Sequence, residues 1–138
     1  MAAQYLLDTN ILSDLLKNPQ GKAARKISSL PAVERDALAT SIIVAAELRY
    51  GVAKSDSSIL AARVEQLLDA IQILPLPPDA DRHYGRIRIE LEKAGTPIGA
   101  NDLLIAAQVL AIGAVLVTDN IRGFKRVKRL QVEDWLRH

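Results

Sequence analysis

The sequence predicts an α/β fold, with a mostly parallel sheet covered on both faces by helices. Two observations carry that expectation. Short apolar runs of strand length alternate with longer stretches of helical periodicity, the pattern of strand–helix–strand units. The strand candidates, such as Tyr5-Leu6-Leu7 and Val115-Leu116-Val117, are apolar along their length, as strands buried on both faces must be. With 138 residues and 49% hydrophobic content, the chain can close a full core within one domain. Aromatics are only 4%, so Leu, Ile, Val and Ala must build that core.

The elements follow in order. Tyr5 to Asp8 reads as a strand. Asn10 to Lys17 reads as a helix stopped by Asn18-Pro19, and a second helix lies within Gly21 to Leu30. Leu38 to Thr40 is a short strand leading into a helix from Ile42 to Lys54. Ser57 to Ala70 is a helix with Ser57 or Ser58 as its cap. Ile71 to Leu74 is a strand. Pro75-Leu76-Pro77-Pro78 is a rigid connector with patterned sequence on both sides. Asp79 to Ala94 is a helix ended by Gly95, and Ile98 to Ile112 one stopped by Gly113. Val115 to Thr118 is the last strand, and a short basic segment closes the chain.

Composition excludes several classes. The absence of cysteine removes disulfide scaffolds and thiolate metal sites and fits a cytoplasmic location. Two histidines, His83 and His138, are too few for a histidine-rich zinc site. Met1-Ala2-Ala3-Gln4 has neither the basic nor the long apolar region of a leader peptide. The longest apolar stretch, Leu103 to Val117, is broken by Gln108 and Gly113 and is too short to span a bilayer. A net charge of +2 is compatible with a polyanionic partner.

Four acidic residues stand where a soluble fold has little structural use for them: Asp8, Glu47, Asp102 and Asp119. Asp8 and Asp119 end apolar runs, so the pattern delivers them to the carboxyl edge of the sheet, where ligands bind in such folds. Glu47 is the only charge within Ile42-Ile43-Val44-Ala45-Ala46-Glu47-Leu48. Asp102 shares a helix face with Ile98, Ile105 and Ala106. Structural roles compete at each position. Asp8 can cap the following helix, Asp119 can serve a turn or cap, and Arg49 can neutralise Glu47. Asp102 is not needed as a cap, because Gly99 or Asn101 can fill that role. A buried unpaired carboxylate is costly, and four that converge call for a cation between them. With no sulfur and little imidazole available, that cation is a hard divalent ion such as Mg²⁺ or Mn²⁺. A divalent ion of this kind supports metal-assisted hydrolysis, with one ion or two.

At these same residues the chain resembles the PIN-domain ribonucleases, in particular the VapC toxins of bacterial toxin–antitoxin pairs. The resemblance rests on Leu6-Leu7-Asp8-Thr9-Asn10-Ile11-Leu12, on Ser41-Ile42-Ile43-Val44-Ala45-Ala46-Glu47-Leu48-Arg49-Tyr50-Gly51, and on Gly95-Thr96-Pro97-Ile98-Gly99-Ala100-Asn101-Asp102-Leu103-Leu104-Ile105-Ala106-Ala107. Leu116-Val117-Thr118-Asp119-Asn120, Phe124 and Val132-Glu133-Asp134-Trp135 complete it. It implies a single PIN domain over residues 1–138, folded as a three-layer α/β/α sandwich. It also implies an Mg²⁺- or Mn²⁺-dependent endoribonuclease, a homodimer, and inhibition by a small VapB-like antitoxin in a hetero-oligomer. Asp8, Glu47 and Asp102 take the family's metal-binding and catalytic roles directly. Asp119 stands where many close VapC relatives have Asn and other PIN domains have Asp. Thr9 and Thr118 could orient the carboxylates or simply cap turns. Family members cut transfer RNA or ribosomal RNA, so a structured RNA is the expected substrate, with transfer RNA favoured.

Two basic clusters, Arg122, Lys125, Arg126, Lys128 and Arg129 near the C-terminus and Arg82, Arg86, Arg88 and Lys93 in one helix, are either solvated faces or an RNA path. Leu12, Leu15 and Leu16 cannot all face the sheet at helical spacing, so an apolar surface is expected there for the antitoxin. Three rivals are weighed. A phosphatase with a catalytic Asp after strand one wants a second Asp two residues on, where Asn10 stands. A receiver domain wants adjacent acids and a late Lys. A PIN fold that only binds would not need the four acids.

Overall fold

A computed structural model of the chain describes residues 4–137. Met1 to Ala3, read above for a leader, and His138 lie outside the described residues. The strands are β1 (Tyr5–Leu7), β2 (Ala39–Ser41), β3 (Gln72–Leu74), β4 (Val115–Val117) and β5 (Gln131–Glu133). They form one sheet in the order β3-β2-β1-β4-β5, with every neighbouring pair parallel. Leu6 of β1 pairs with Ala39 on one side and Leu116 on the other. The three central strands are fully buried, whereas β3 and β5 are partly exposed, as edge strands are.

Helices α1 (Thr9–Lys17), α2 (Lys22–Ser29) and α3 (Ala32–Asp36) connect β1 to β2. Helices α4 (Ile42–Ser55) and α5 (Ser58–Asp69) connect β2 to β3. Helices α6 (Ala80–Lys93) and α7 (Ala100–Ile112) lead back across the sheet to β4, and the single turn α8 (Ile121–Phe124) leads to β5. Right-handed crossovers place α1 to α5 on one face and α6 to α8 on the other. The packing agrees: α1 touches α2, α4 and α5, while α6 runs along α7. This is the expected α/β/α sandwich.

The expected elements are present with ends shifted by a residue or two. Ser57, not Ser58, caps α5, its hydroxyl accepting from Leu60 N at 3.1 Å. The pattern of residues missed α3, α8 and β5. It also placed Leu12 on a possible exposed surface, and the structure corrects this. Leu12 is fully buried beside Ile11, while Leu15 and Leu16 are only partly buried.

The two breaks in the long apolar stretch have separate causes. Gly113 ends α7 at φ 69°, a conformation that costs a residue with a side chain. Gln108 is wholly buried, and its amide nitrogen donates to Leu74 O and Pro75 O, each at 3.0 Å. It therefore ties α7 to the connector that leaves β3, and so fixes where α7 runs. Gln108→Ala removes that donor and opens a cavity. A loss of about 2–4 kcal/mol is expected in urea unfolding. A loss below about 0.5 kcal/mol would mean that the connector does not depend on this tie.

Candidate active site

The direction of winding reverses between β1 and β4. These strands are neighbours, yet the chain leaves β1 towards β2 and leaves β4 towards β5. Two loops diverging from adjacent strand ends open a crevice at the carboxyl edge. Asp8 sits at the end of β1, with its backbone N–H donating to Val117 O at 2.9 Å. Thr118 and Asp119 follow the end of β4.

Consecutive residues Asp8, Thr9 and Asn10 join these strand ends to α4. Thr9 N donates to Asp8 Oδ1 at 2.8 Å, so Asp8 does cap α1. The Thr9 hydroxyl donates to Glu47 Oε1 at 2.9 Å. The buried Thr118 hydroxyl donates to Asp8 Oδ2 at 2.8 Å. That assignment is forced, because the same oxygen accepts from Asn10 Nδ2 at 3.3 Å and from Asn120 N at 3.0 Å. Its two acceptor positions are filled, leaving its one proton for Asp8. Asn10 Oδ1 accepts from Asp119 N at 3.1 Å and holds the β4 loop in place.

The four acids are brought together electrostatically. Asp8 is 5% exposed. Burial pushes its carboxyl above the ordinary aspartate range, and the charges of Glu47 and Asp119 add to the rise. The bonds from Thr118 and Thr9 oppose it. Asp102, half-buried in the first turn of α7, is raised by burial and then by the charges of Asp8 and Glu47. The packing of α4 on α7 brings the last two helices' acids towards each other. Among the described residues no ion pair involves any of the four. Nor do three of their side chains already lie together as a closed ligand set.

The alternatives weighed from sequence resolve individually. Arg49 pairs with Glu65 across α4 and α5, not with Glu47. Gly99 caps α7, which leaves Asp102 free of that task. Asn120, not Asp119, caps α8, accepting from Gly123 N at 3.3 Å. Thr9 and Thr118 orient carboxylates. Asn10, given no site role from sequence, is the residue that binds the two strand-end loops together. Its signal was its place two residues after a strand-end Asp.

The PIN domain family profile matches residues 5–130. This chain belongs to the PIN-domain family. Within the family it is similar to "Ribonuclease VapC1" of Haemophilus influenzae (strain R2866), 39% identical over 134 residues, 95% of this chain and 97% of the relative. It is 32% identical over 133 residues to the "tRNA(fMet)-specific endonuclease VapC" of Shigella flexneri, covering 96% of this chain and 98% of the relative. Its fold is also similar to that in the crystal structure of VapBC2 from Rickettsia felis bound to a DNA fragment from their promoter. There the TM-score is 0.87 and the identity 36%, covering 96% of this chain and 98% of that one.

The raised carboxyls of this PIN domain set a stability test in chelating buffer. A folded-state pKa above the unfolded value means that the ionised group destabilises the fold above that pKa. The penalty fades as pH falls and the native carboxyl takes up its proton. Asp102→Asn is therefore expected to melt above the parent at about pH 7, with the gain shrinking towards about pH 4. Asp8→Asn should gain less. Either amide orientation sets an N–H against the Thr118 hydroxyl proton or the Thr9 N–H. A melting temperature of Asp102→Asn below the parent's at neutral pH would make that carboxylate structural.

Proposed function

We propose that this PIN domain is a metal-dependent endoribonuclease, the toxin of a toxin–antitoxin pair, and that Asp8, Glu47, Asp102 and Asp119 form its metal-binding catalytic centre. The observation that carries the reading is four acids near the β1/β4 crevice that feel one another's charge through Asp8 and Glu47, without an ion-pair partner among the described residues. Relatives named as ribonucleases over nearly the whole length support the reaction. The relatives named as tRNA(fMet)-specific, at 32% identity, favour transfer RNA over ribosomal RNA as the structured substrate.

The residues present fit a hard divalent ion, Mg²⁺ or Mn²⁺. The donor set is all carboxylate, and two of its members, Asp8 and Asp102, are held above the ordinary aspartate range by burial first and by neighbouring acids second. Asp8, Asp102, Glu47 and Asp119 are the residues that would hold it. Bound there, such an ion supplies positive charge to the phosphate oxygens and makes water a better nucleophile. The protein's own contribution is orientation. Thr118 and Thr9 fix both oxygens of Asp8, and the Thr9 hydroxyl fixes one oxygen of Glu47. The carboxylates of Asp102 and Asp119 accept no hydrogen bond within the described residues and can turn towards a ligand. The overall change is hydrolysis: water oxygen joins phosphorus, and one ester oxygen leaves with a proton. Asp102→Asn should abolish cleavage of transfer RNA at ordinary Mg²⁺. Glu47→Gln, which keeps the shape, should cut it by at least about tenfold and recover in part at high Mn²⁺. Full activity of Glu47→Gln at ordinary Mg²⁺ would take Glu47 out of the centre.

The partner reading rests on structure neighbours that are VapB–VapC complexes. A groove of about 630 Å³ between α1, α4 and α5 supports it. Its lining is apolar through Leu16, Leu48, Val52, Leu60 and Val64, and it reaches Thr9 and Glu47 at the acidic centre. An amphipathic antitoxin helix fits such a groove, in a hetero-oligomer built on a toxin homodimer. Leu16→Asp should weaken capture of the cognate VapB-like antitoxin at least about tenfold, with RNA cleavage little changed. Leu12→Asp would instead disrupt the core. Unchanged capture by Leu16→Asp would move the antitoxin to another surface.

A further inference from the structure

We infer that a second cleft, between the C-terminal half of α6 and the segment after α8, carries the phosphate backbone of the RNA past the acidic centre. This rests on the ribonuclease reading above and adds the surface that holds the substrate. The cleft, of about 350 Å³, is lined by Ile87, Glu90, Leu91, Lys93, Ala94, Arg126, Val127 and Lys128. Three cations face one anion. Its floor is rigid, because Ile87, Leu91 and Val127 are buried in the core. Lys93, Arg126 and Lys128 are exposed, and none is in a salt bridge or a side-chain hydrogen bond among the described residues. Elsewhere on α6, Arg88 is instead tied to Glu92 and Tyr84, and Arg86 to His83. The three cleft cations have no such tie among the described residues and are available to an external anion.

Position supports the same use. Both walls are joined to the acids by short stretches of chain. The single turn α8 links Asp119 to Arg126, and the short Thr96-Pro97-Ile98 link joins the end of α6 to the helix bearing Asp102. No aromatic residue lines the cleft, so it offers no stacking platform for bases. What it can recognise is repeated phosphate charge, which positions a strand without reading sequence.

The test compares the parent protein with Arg126→Gln/Lys128→Gln, and with Lys22→Gln/Lys26→Gln as a charge-matched control on α2. Binding of a fluorescent, mixed-sequence, single-stranded RNA is measured in Ca²⁺ at several salt concentrations, and cleavage of transfer RNA in Mg²⁺. Each phosphate contact contributes about 0.7 to the slope of log affinity against log salt. The cleft variant should therefore show a slope shallower by roughly one to one and a half units. KM for cleavage should rise several-fold, with kcat at saturating RNA changed less. The control should keep the parent's slope. Adding Lys93→Gln should flatten the slope further. An unchanged slope in a parent-like cleaving enzyme would overturn the cleft alone. Equal flattening by the α2 control would reduce the effect to net charge and overturn it as well. A parent that neither binds nor cuts RNA would overturn the ribonuclease reading and the cleft with it.

Discussion

The hydrogen bond from the Thr118 hydroxyl to Asp8 ties together the two strand ends between which the sheet changes its direction of winding. Much of the centre hangs on that bond. It fixes one oxygen of Asp8. Asn10 and Asn120 fill the acceptor positions of the same hydroxyl, so its proton has one destination. Asn10 in turn holds the amide of Asp119, and Thr9 carries the arrangement on to Glu47. A buried hydroxyl with all three positions used leaves Asp8 little rotational freedom. An acid raised by burial and by its neighbours would otherwise lower its energy by turning towards solvent. The network holds in place a charge that the fold alone does not favour.

Much of this was legible in the sequence, for a definite reason. Asp8 and Asp119 follow apolar strands, and strand ends in a parallel sheet have one destination. Glu47 and Asp102 interrupt helical apolar faces, and periodicity alone turns them inward. The unread parts lacked any such local signal. Helix α8 is one turn, held by the Asn120 side chain and by Phe124 in the core. Strand β5 is three residues long with only Val132 apolar, and its pairing with β4 is a tertiary matter. Helix α3 buries no residue at all, so it carries no periodic face. The partners of Thr9, Asn10 and Thr118 lie as far as 110 positions away, beyond what spacing can show. Leu12, Leu15 and Leu16 could not be ranked either. Which of them meets the sheet depends on the roll of α1, and that roll is set by the Asp8 cap and the core around Ile11.

Covering both faces of a sheet with helices leaves its carboxyl edge as the place where two loops diverge, and this governs the surfaces as well as the centre. From that edge the apolar groove runs out over α1, α4 and α5 on one face. The basic cleft runs out over α6 and the segment after α8 on the other. The two have opposite chemistry, and only the first includes side chains of the centre, Thr9 and Glu47. A helix docked in the apolar groove would therefore act where it ends, against Glu47 and the hydroxyl that orients it. It need not cover the basic cleft to silence the enzyme. On that geometry an occupied apolar groove and a phosphate chain in the basic cleft compete only at the carboxylates, where the reaction would take place.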